Sequence, residues 1–167
     1  MIIKNNSIVL ISNIIFEPYL RTHMAKIHLP STVQLKYVAY EEIYEKHIQN
    51  SDIIVICLNF DALYPNAIID VASREIAHKE VKQDAVRRCQ ELYYLVKTCS
   101  NVPIIWFGFE DYYINSNIVS GNLPVLDGLV DKVNQAVRDM LTDDVFVDLK
   151  RLIAMIGLSN SYSMKAK

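Results

Sequence analysis

The stretch Ser7-Ile8-Val9-Leu10-Ile11-Ser12-Asn13, running into Ile14-Ile15-Phe16-Glu17-Pro18, sets the frame for the rest of the chain. A short apolar run of strand-forming residues stops on a serine and an asparagine. A helix then begins, with Pro18 near its first turn, where the missing N–H is no loss. A strand that ends on small polar residues just ahead of a helix is where α/β proteins place their chemistry. Ser12 and Asn13 are therefore the first candidates for a site.

Working outward, Phe16, Leu20, Met24 and Ile27 recur at helical spacing, so the pattern predicts an amphipathic helix over 16–28 that Leu29-Pro30-Ser31 ends. Residues 33–40 alternate and suit a strand with one less apolar face, at a sheet edge. A short charged helix is expected over 41–49. Ile53-Ile54-Val55-Ile56-Cys57-Leu58 is apolar on both faces, which belongs in the middle of a covered parallel sheet. This run gives way at Asn59-Phe60-Asp61-Ala62-Leu63, read as a connection.

A long helical pattern covers 67–98, with Ile68, Ala72, Ile76, Ala85, Cys89, Leu92 and Val96 on one stripe. Its middle, 78–84, looks polar nearly all round and is expected to project past the sheet or meet a partner. Ile104-Ile105-Trp106-Phe107-Gly108-Phe109 is another apolar strand. The connection over 110–127 is long enough to be a functional or loosely ordered loop. Helices over 126–141 and 149–156 flank a short strand, Val145-Phe146-Val147, and Gly157 stops the second of them.

Strands alternating with helices imply a parallel sheet covered on both faces. The expectation is a three-layer α/β/α sandwich with a five-stranded parallel sheet in the flavodoxin-like order 2-1-3-4-5. At 167 residues the chain has the size of one domain. Residues 1–158 form it, and 159–167 read as a tail leading toward a further domain. Ligands bind such sheets at the carboxyl ends of the strands, so the residues to weigh are Ser12 and Asn13, Tyr40 and Glu41, Asn59 and Asp61, Glu110 and Asp111, and Asp148.

Composition narrows the function classes. The net charge of −2 and the lack of any Lys/Arg run longer than two residues give no footprint for a phosphate backbone. No apolar run approaches the roughly 18 residues of a membrane span, and Ser12, Asn13 and Glu17-Pro18 break the signal-peptide pattern. The three cysteines, Cys57, Cys89 and Cys99, have no C-x-x-C spacing and fit reduced thiols of a cytoplasmic protein. Ser12-Asn13-Ile14-Ile15 has neither the glycines of a phosphate loop nor the acidic pair of a phospho-receiver. His23, His28, His47 and His78 are scattered on helical segments with no second ligand nearby, so neither metal nor cofactor is expected.

What remains is Ser12 with Asn59 and Asp148. Ser12 could attack an acyl carbon if a base took its proton. The amide of Asn59 could donate to the developing oxyanion, and Asp148 could orient a histidine. Three positions after Asp148 stands Arg151 instead, a residue suited to gripping an acidic group. Ser12 and Asn59 equally suit the plainer task of satisfying N–H groups where helices begin. Glu110-Asp111-Tyr112-Tyr113 places two acids beside two aromatics, which suits a polar ligand or a partly buried tyrosine pair.

These residues also carry a resemblance. Ile11-Ser12-Asn13-Ile14-Ile15-Phe16-Glu17-Pro18-Tyr19-Leu20 resembles the opening of the SGNH-hydrolase-like domain at the N-terminus of FkbH-like proteins. The strand into Asn59-Phe60-Asp61-Ala62-Leu63 is similar to that family's next landmark. Val147-Asp148-Leu149-Lys150-Arg151-Leu152 through Gly157 is similar to its closing one. The resemblance implies the same α/β/α fold, with Ser12 as nucleophile, Asn59 as oxyanion donor and Asp148 as the acid of the final block. Asn13, Asp61, Glu110, Asp111 and Arg151 would then contact substrate.

In that family the domain precedes a haloacid-dehalogenase-like (HAD) phosphatase domain, in polyketide or surface-polysaccharide pathways. Expected partners are thus an HAD-like domain or a carrier protein, with a small acyl or phosphoglyceryl substrate. The family's glycine after the second strand is replaced by the Tyr40-Glu41 region, and its final histidine by Arg151. The expectation is a docking or substrate-presenting domain with weak or no catalysis. An active serine esterase is the alternative.

Overall fold

In a computed structural model, residues 7–13, 32–64, 78–110 and 127–156 are described. Five strands, β1 (Ser7–Ser12), β2 (Gln34–Ala39), β3 (Ile53–Cys57), β4 (Ile104–Phe107) and β5 (Val145–Val147), form one sheet in the order β2-β1-β3-β4-β5. All four pairings are parallel. This is the flavodoxin-like α/β sandwich expected from the alternation of strands and helices. As its one-sided pattern implied, β2 lies at an edge.

Because side chains alternate across a strand, Val9, Ile11, Ile54, Ile56, Ile104 and Trp106 face one way, and all are buried. They form one cluster with two long helices, α3 (His78–Cys99) and α4 (Asp127–Met140). From α3 come Val81, Ala85, Cys89, Leu92 and Val96; from α4 come Val130, Val133 and Val137. Trp106 is 0% exposed and its Nε1–H has no hydrogen-bond partner among the described residues.

Three local expectations change. Residues 78–84 do not project past the sheet: Val81 is 0% exposed and extends the buried stripe of α3 by one more turn. Its polar neighbours had masked a single apolar residue at the correct phase. Arg87 and Arg88, on the outer side of α3, pair with Asp84, and Arg87 also pairs with Glu91.

The helix expected over 41–49 is broken into a 3-10 turn, Tyr40–Glu42, and α1 (Glu45–Ile48), with Ile43 and Tyr44 extended between them. Residues five apart sit about 140° around a helix, so an unbroken helix could not turn both Ile43 and Ile48 inward. The break lets Ile48 bury fully and Ile43 pack on the cluster. Asn50, at φ 64°, then reverses the chain into β3.

Asn59 to Leu63, expected as a plain connection, contains a short helix, α2 (Phe60–Leu63), because Phe60 and Leu63 at i, i+3 both bury. The helix expected over 16–28, the first half of that over 67–98, and the tail lie outside the described residues. Most of the connection over 110–127 does so as well. A last helix, α5 (Leu149–Ile156), follows β5.

At the amino end of the sheet, the Asp144 side chain is 1% exposed and gathers three elements. It accepts hydrogen bonds from the Ile104 N–H at 2.8 Å, the Tyr93 hydroxyl at 3.0 Å and Lys97 Nζ at 3.0 Å. A buried carboxylate with several donors is held firmly, and removing it strands those donors. Burial first, then the hydrogen bond to Asp144, pushes the Tyr93 phenol up to about 12.

Asp144→Ala is expected to cost about 3 kcal/mol in urea denaturation, and Asp144→Asn less, since the amide oxygen still accepts. Because the folded phenol holds its proton longer than the unfolded one, Tyr93 adds stability below pH 10 that is lost as the pH rises toward about 12. Tyr93→Phe should remove that part of the alkaline fall in midpoint.

Candidate functional site

The strand registers bring all five carboxyl ends level. Ala39, Ser12, Cys57, Phe107 and Val147 each end a strand and are paired neighbours across the sheet. The next residues along, Tyr40, Asn13, Leu58, Gly108 and Asp148, form the rim where a ligand of this fold would lie.

At β1, Ser12 is 0% exposed. Its carbonyl accepts a hydrogen bond from the Tyr37 hydroxyl at 3.1 Å. Burial, then the charges of Glu41 and Glu42, raise the Tyr37 phenol, which stays a protonated donor. Cys57, the registered neighbour of Ser12 on β3, shares its face of the sheet. Burial pushes that thiol up to about 11, so it stands beside Ser12 as a neutral group and not as a base. His47, the one histidine whose side chain is described, belongs to α1. Its Nδ1 lies 2.9 Å from the Glu42 carbonyl, and Lys36 of β2 donates to its own carbonyl.

Asn13 and Asn59 meet. The Asn13 Oδ1 accepts the Asn59 backbone N–H at 2.9 Å, tying the exit of β1 to the start of α2. Asn59 occupies the N-cap position of α2, yet its side chain makes no capping bond. The cap role foreseen for Asn59 therefore does not hold, and the Asn13 acceptor takes up the N–H of Asn59 itself. Asp61 lies within α2. Glu110, half-buried, follows the exit of β4, and Asp111 lies outside the described residues.

Asp148 sits apart from this pair. Two strands separate β5 from β1, so at about 4.8 Å per strand the two exits are about 14 Å apart. One Asp148 oxygen accepts the Arg151 backbone N–H at 2.9 Å, capping α5, and the other faces Arg138 at 3.4 Å. The structure thus groups Ser12, Asn13 and Asn59 at one place and Asp148 with Arg151 at another. Among the described residues no group of three or more His, Cys, Asp or Glu could hold a metal ion.

At the exit of β4 the sequence pointed to Glu110 and Asp111 and passed over Asn134. There the Asn134 side chain of α4 accepts the Phe109 N–H at 2.7 Å and donates to the Phe109 carbonyl at 2.8 Å. It continues the sheet's hydrogen bonding where the strand stops. Gly108 is required alongside: a Cβ there would lie 2.6 Å from Phe146 Cζ and 3.1 Å from the Asn134 oxygen. A glycine inside an apolar strand and an asparagine beside a helix's apolar stripe were the signals available.

No protein-family model matches the chain, and no curated protein does. Among solved structures, the chain is similar to the crystal structure of the N-terminal part of the protein BF1531 from Bacteroides fragilis, described as containing a phosphatase domain complexed with Mg. The TM-score is 0.51 at 11% identity, over 90% of this chain and 42% of that one. This chain therefore spans less than half of the length it matches, and the likeness is one of fold.

Gly108→Ala should lower stability by about 2 kcal/mol through overpacking, read as a shift in the urea midpoint. Adding Phe146→Leu to that variant should restore part of the loss, because it removes the ring carbon that the new methyl meets.

Proposed function

We propose that the chain is an SGNH-hydrolase-like domain of an FkbH-like biosynthetic protein in a polyketide or surface-polysaccharide pathway. It serves by docking on an HAD-like phosphatase domain or by presenting a substrate or carrier to it, with weak or no catalysis of its own. Residues 1–158 are the working unit, in the cytoplasm. The observation that carries this reading is the state of the two key residues. Ser12 is closed in the sheet beside a neutral thiol, and Asp148 is committed to capping α5 on the far side of β3 and β4. A serine nucleophile needs a base within hydrogen-bond reach, and among the described residues neither the Cys57 thiol nor the Tyr37 phenol beside Ser12 is one.

The solved protein of like fold is described as containing a phosphatase domain, which agrees with such a neighbour. Asn13, Asp61, Glu110, Asp111 and Arg151 would contact the presented group. Among the described residues, no helix is long and apolar enough to cross a membrane. A second reading, an active serine esterase, draws on Ser12 and Asn59 emerging from neighbouring strands. There Ser12 would attack the acyl carbon and the Asn59 amide would hold the oxyanion.

A fluorophosphonate probe and p-nitrophenyl acetate, applied to the wild type and to Ser12→Ala, separate the two. The docking reading expects no labelling, no turnover that depends on Ser12, and retention on an immobilised HAD-like phosphatase domain encoded beside this chain. Labelling and turnover that vanish in Ser12→Ala, with no retention, would establish the esterase instead.

A further inference from the structure

Where the chain leaves β2, the 3-10 turn and Ile43 stand beside α3 and leave an open groove of about 320 Å³ between them. We infer that this groove is a docking surface for a basic amphipathic segment of a partner protein. The segment seats an apolar side chain on Ile43, Leu92 and Leu95 and sets its cations against Glu41 and Glu91. The surface uses none of the residues assigned above to catalysis or substrate contact, so it stands whether or not the chain docks on a phosphatase domain.

The two walls come from distant parts of the sequence. Tyr40, Glu41 and Ile43 form one. Arg88, Glu91, Leu92 and Leu95 form the other, and their spacing of i, i+3, i+4 and i+7 puts them on one side of α3. That ridge runs for about 10 Å, two turns of helix. At the floor Leu92 is buried and Ile43 packs on the core, whereas Leu95 stays 43% exposed. Beside Ile43 and Leu95 in the chain, Tyr44 and Tyr94 are 61% and 62% exposed. Aliphatic and aromatic side chains left bare on two adjoining segments mark a protein contact. A small-molecule site would enclose its ligand more fully.

Charge decides the kind of partner. Over 40–46, Glu41, Glu42 and Glu45 stand against Lys46 alone, and Lys46 lies over the Tyr44 ring. On α3 the cations are already engaged. Arg88, which lines the groove, gives its Nε to Asp84 at 2.8 Å, and Arg87 is held by Asp84 and Glu91. Glu91 is 60% exposed and keeps acceptor sites beyond Arg87. Burial raises the Tyr40 phenol against the opposing charge of Arg88, so Tyr40 stays neutral. An apolar floor under an acidic border attracts a basic segment and repels an acidic one.

The test is titration of the ¹⁵N-labelled chain with an amphipathic lysine–leucine peptide at constant ionic strength. Two counterparts run beside it, one with glutamate for lysine and one with alanine for leucine. Saturable shifts confined to the amides around Glu41, Ile43, Glu91 and Leu95 are expected with the lysine–leucine peptide alone. Leu95→Gln and Glu41→Gln should each weaken binding about tenfold, and Glu41→Gln should also flatten its salt dependence. Leu152→Gln, on α5, should leave it unchanged. Because Glu41 is exposed and outside the core, its variant decides the matter even if Leu95→Gln unsettles the fold. Wild-type affinity in Glu41→Gln, equal binding of either counterpart, saturation elsewhere or no saturation would overturn the proposal. So would shifts of the same amides on concentrating the chain without peptide, which would make a second copy the occupant.

Discussion

The register of the parallel sheet is the constraint from which everything else in this chain follows. Ser12 is paired with Ala39 on one side and Cys57 on the other, and that row continues through Phe107 to Val147. A slip of one residue on any strand would turn its buried face outward and carry its exit out of line. Because the row is level, the residues beyond it form a continuous rim. Asn13 reaches Asn59 across that rim, and Asn134 extends the ladder where β4 ends. Hydrogen bonds of this kind cost little to make once the strands are in place, and they hold the rim to one geometry.

The fold was legible in the sequence because its signals are local. Ile53 to Leu58 announces a central strand by being apolar on both faces, and the pattern of 33–40 announces an edge. The break at Ile43 and Tyr44 was hidden because helix propensity says nothing about two isoleucines that must both point inward. Val81 was missed for a related reason, since one valine among charged residues is weighed down by its neighbours in any windowed pattern. Asp144 stands between a helix and a short strand in the pattern, and its partners lie 40 to 51 residues away in the chain. Pairings at that range leave no trace in spacing.

The candidate site was legible as a place and less so as an arrangement. Strand exits can be found by pattern, and the positions of Ser12, Asn13 and Asn59 follow from the topology. Their hydrogen bonds do not: the Asn59 side chain makes no cap while its N–H donates to Asn13, and Asp148 serves α5 at the far end of the rim. Exposure is equally non-local. Ser12 ends an apolar strand on a polar residue, which reads as an opening, yet it is closed in by what packs around it.

Trp106, the chain's single tryptophan, lies between Ile56 and Phe146 in the buried row of the sheet. Its indole is shut off from water and its ring N–H is unpaired among the described residues. An indole so enclosed emits at the blue end of its range and shifts red only when water reaches the centre of the sheet. The protein therefore carries one optical reporter at the meeting point of β3, β4 and β5. Its spectrum stays constant through events at the rim and changes with the separation of the strands themselves, so surface chemistry and loss of the fold can be told apart in one cuvette.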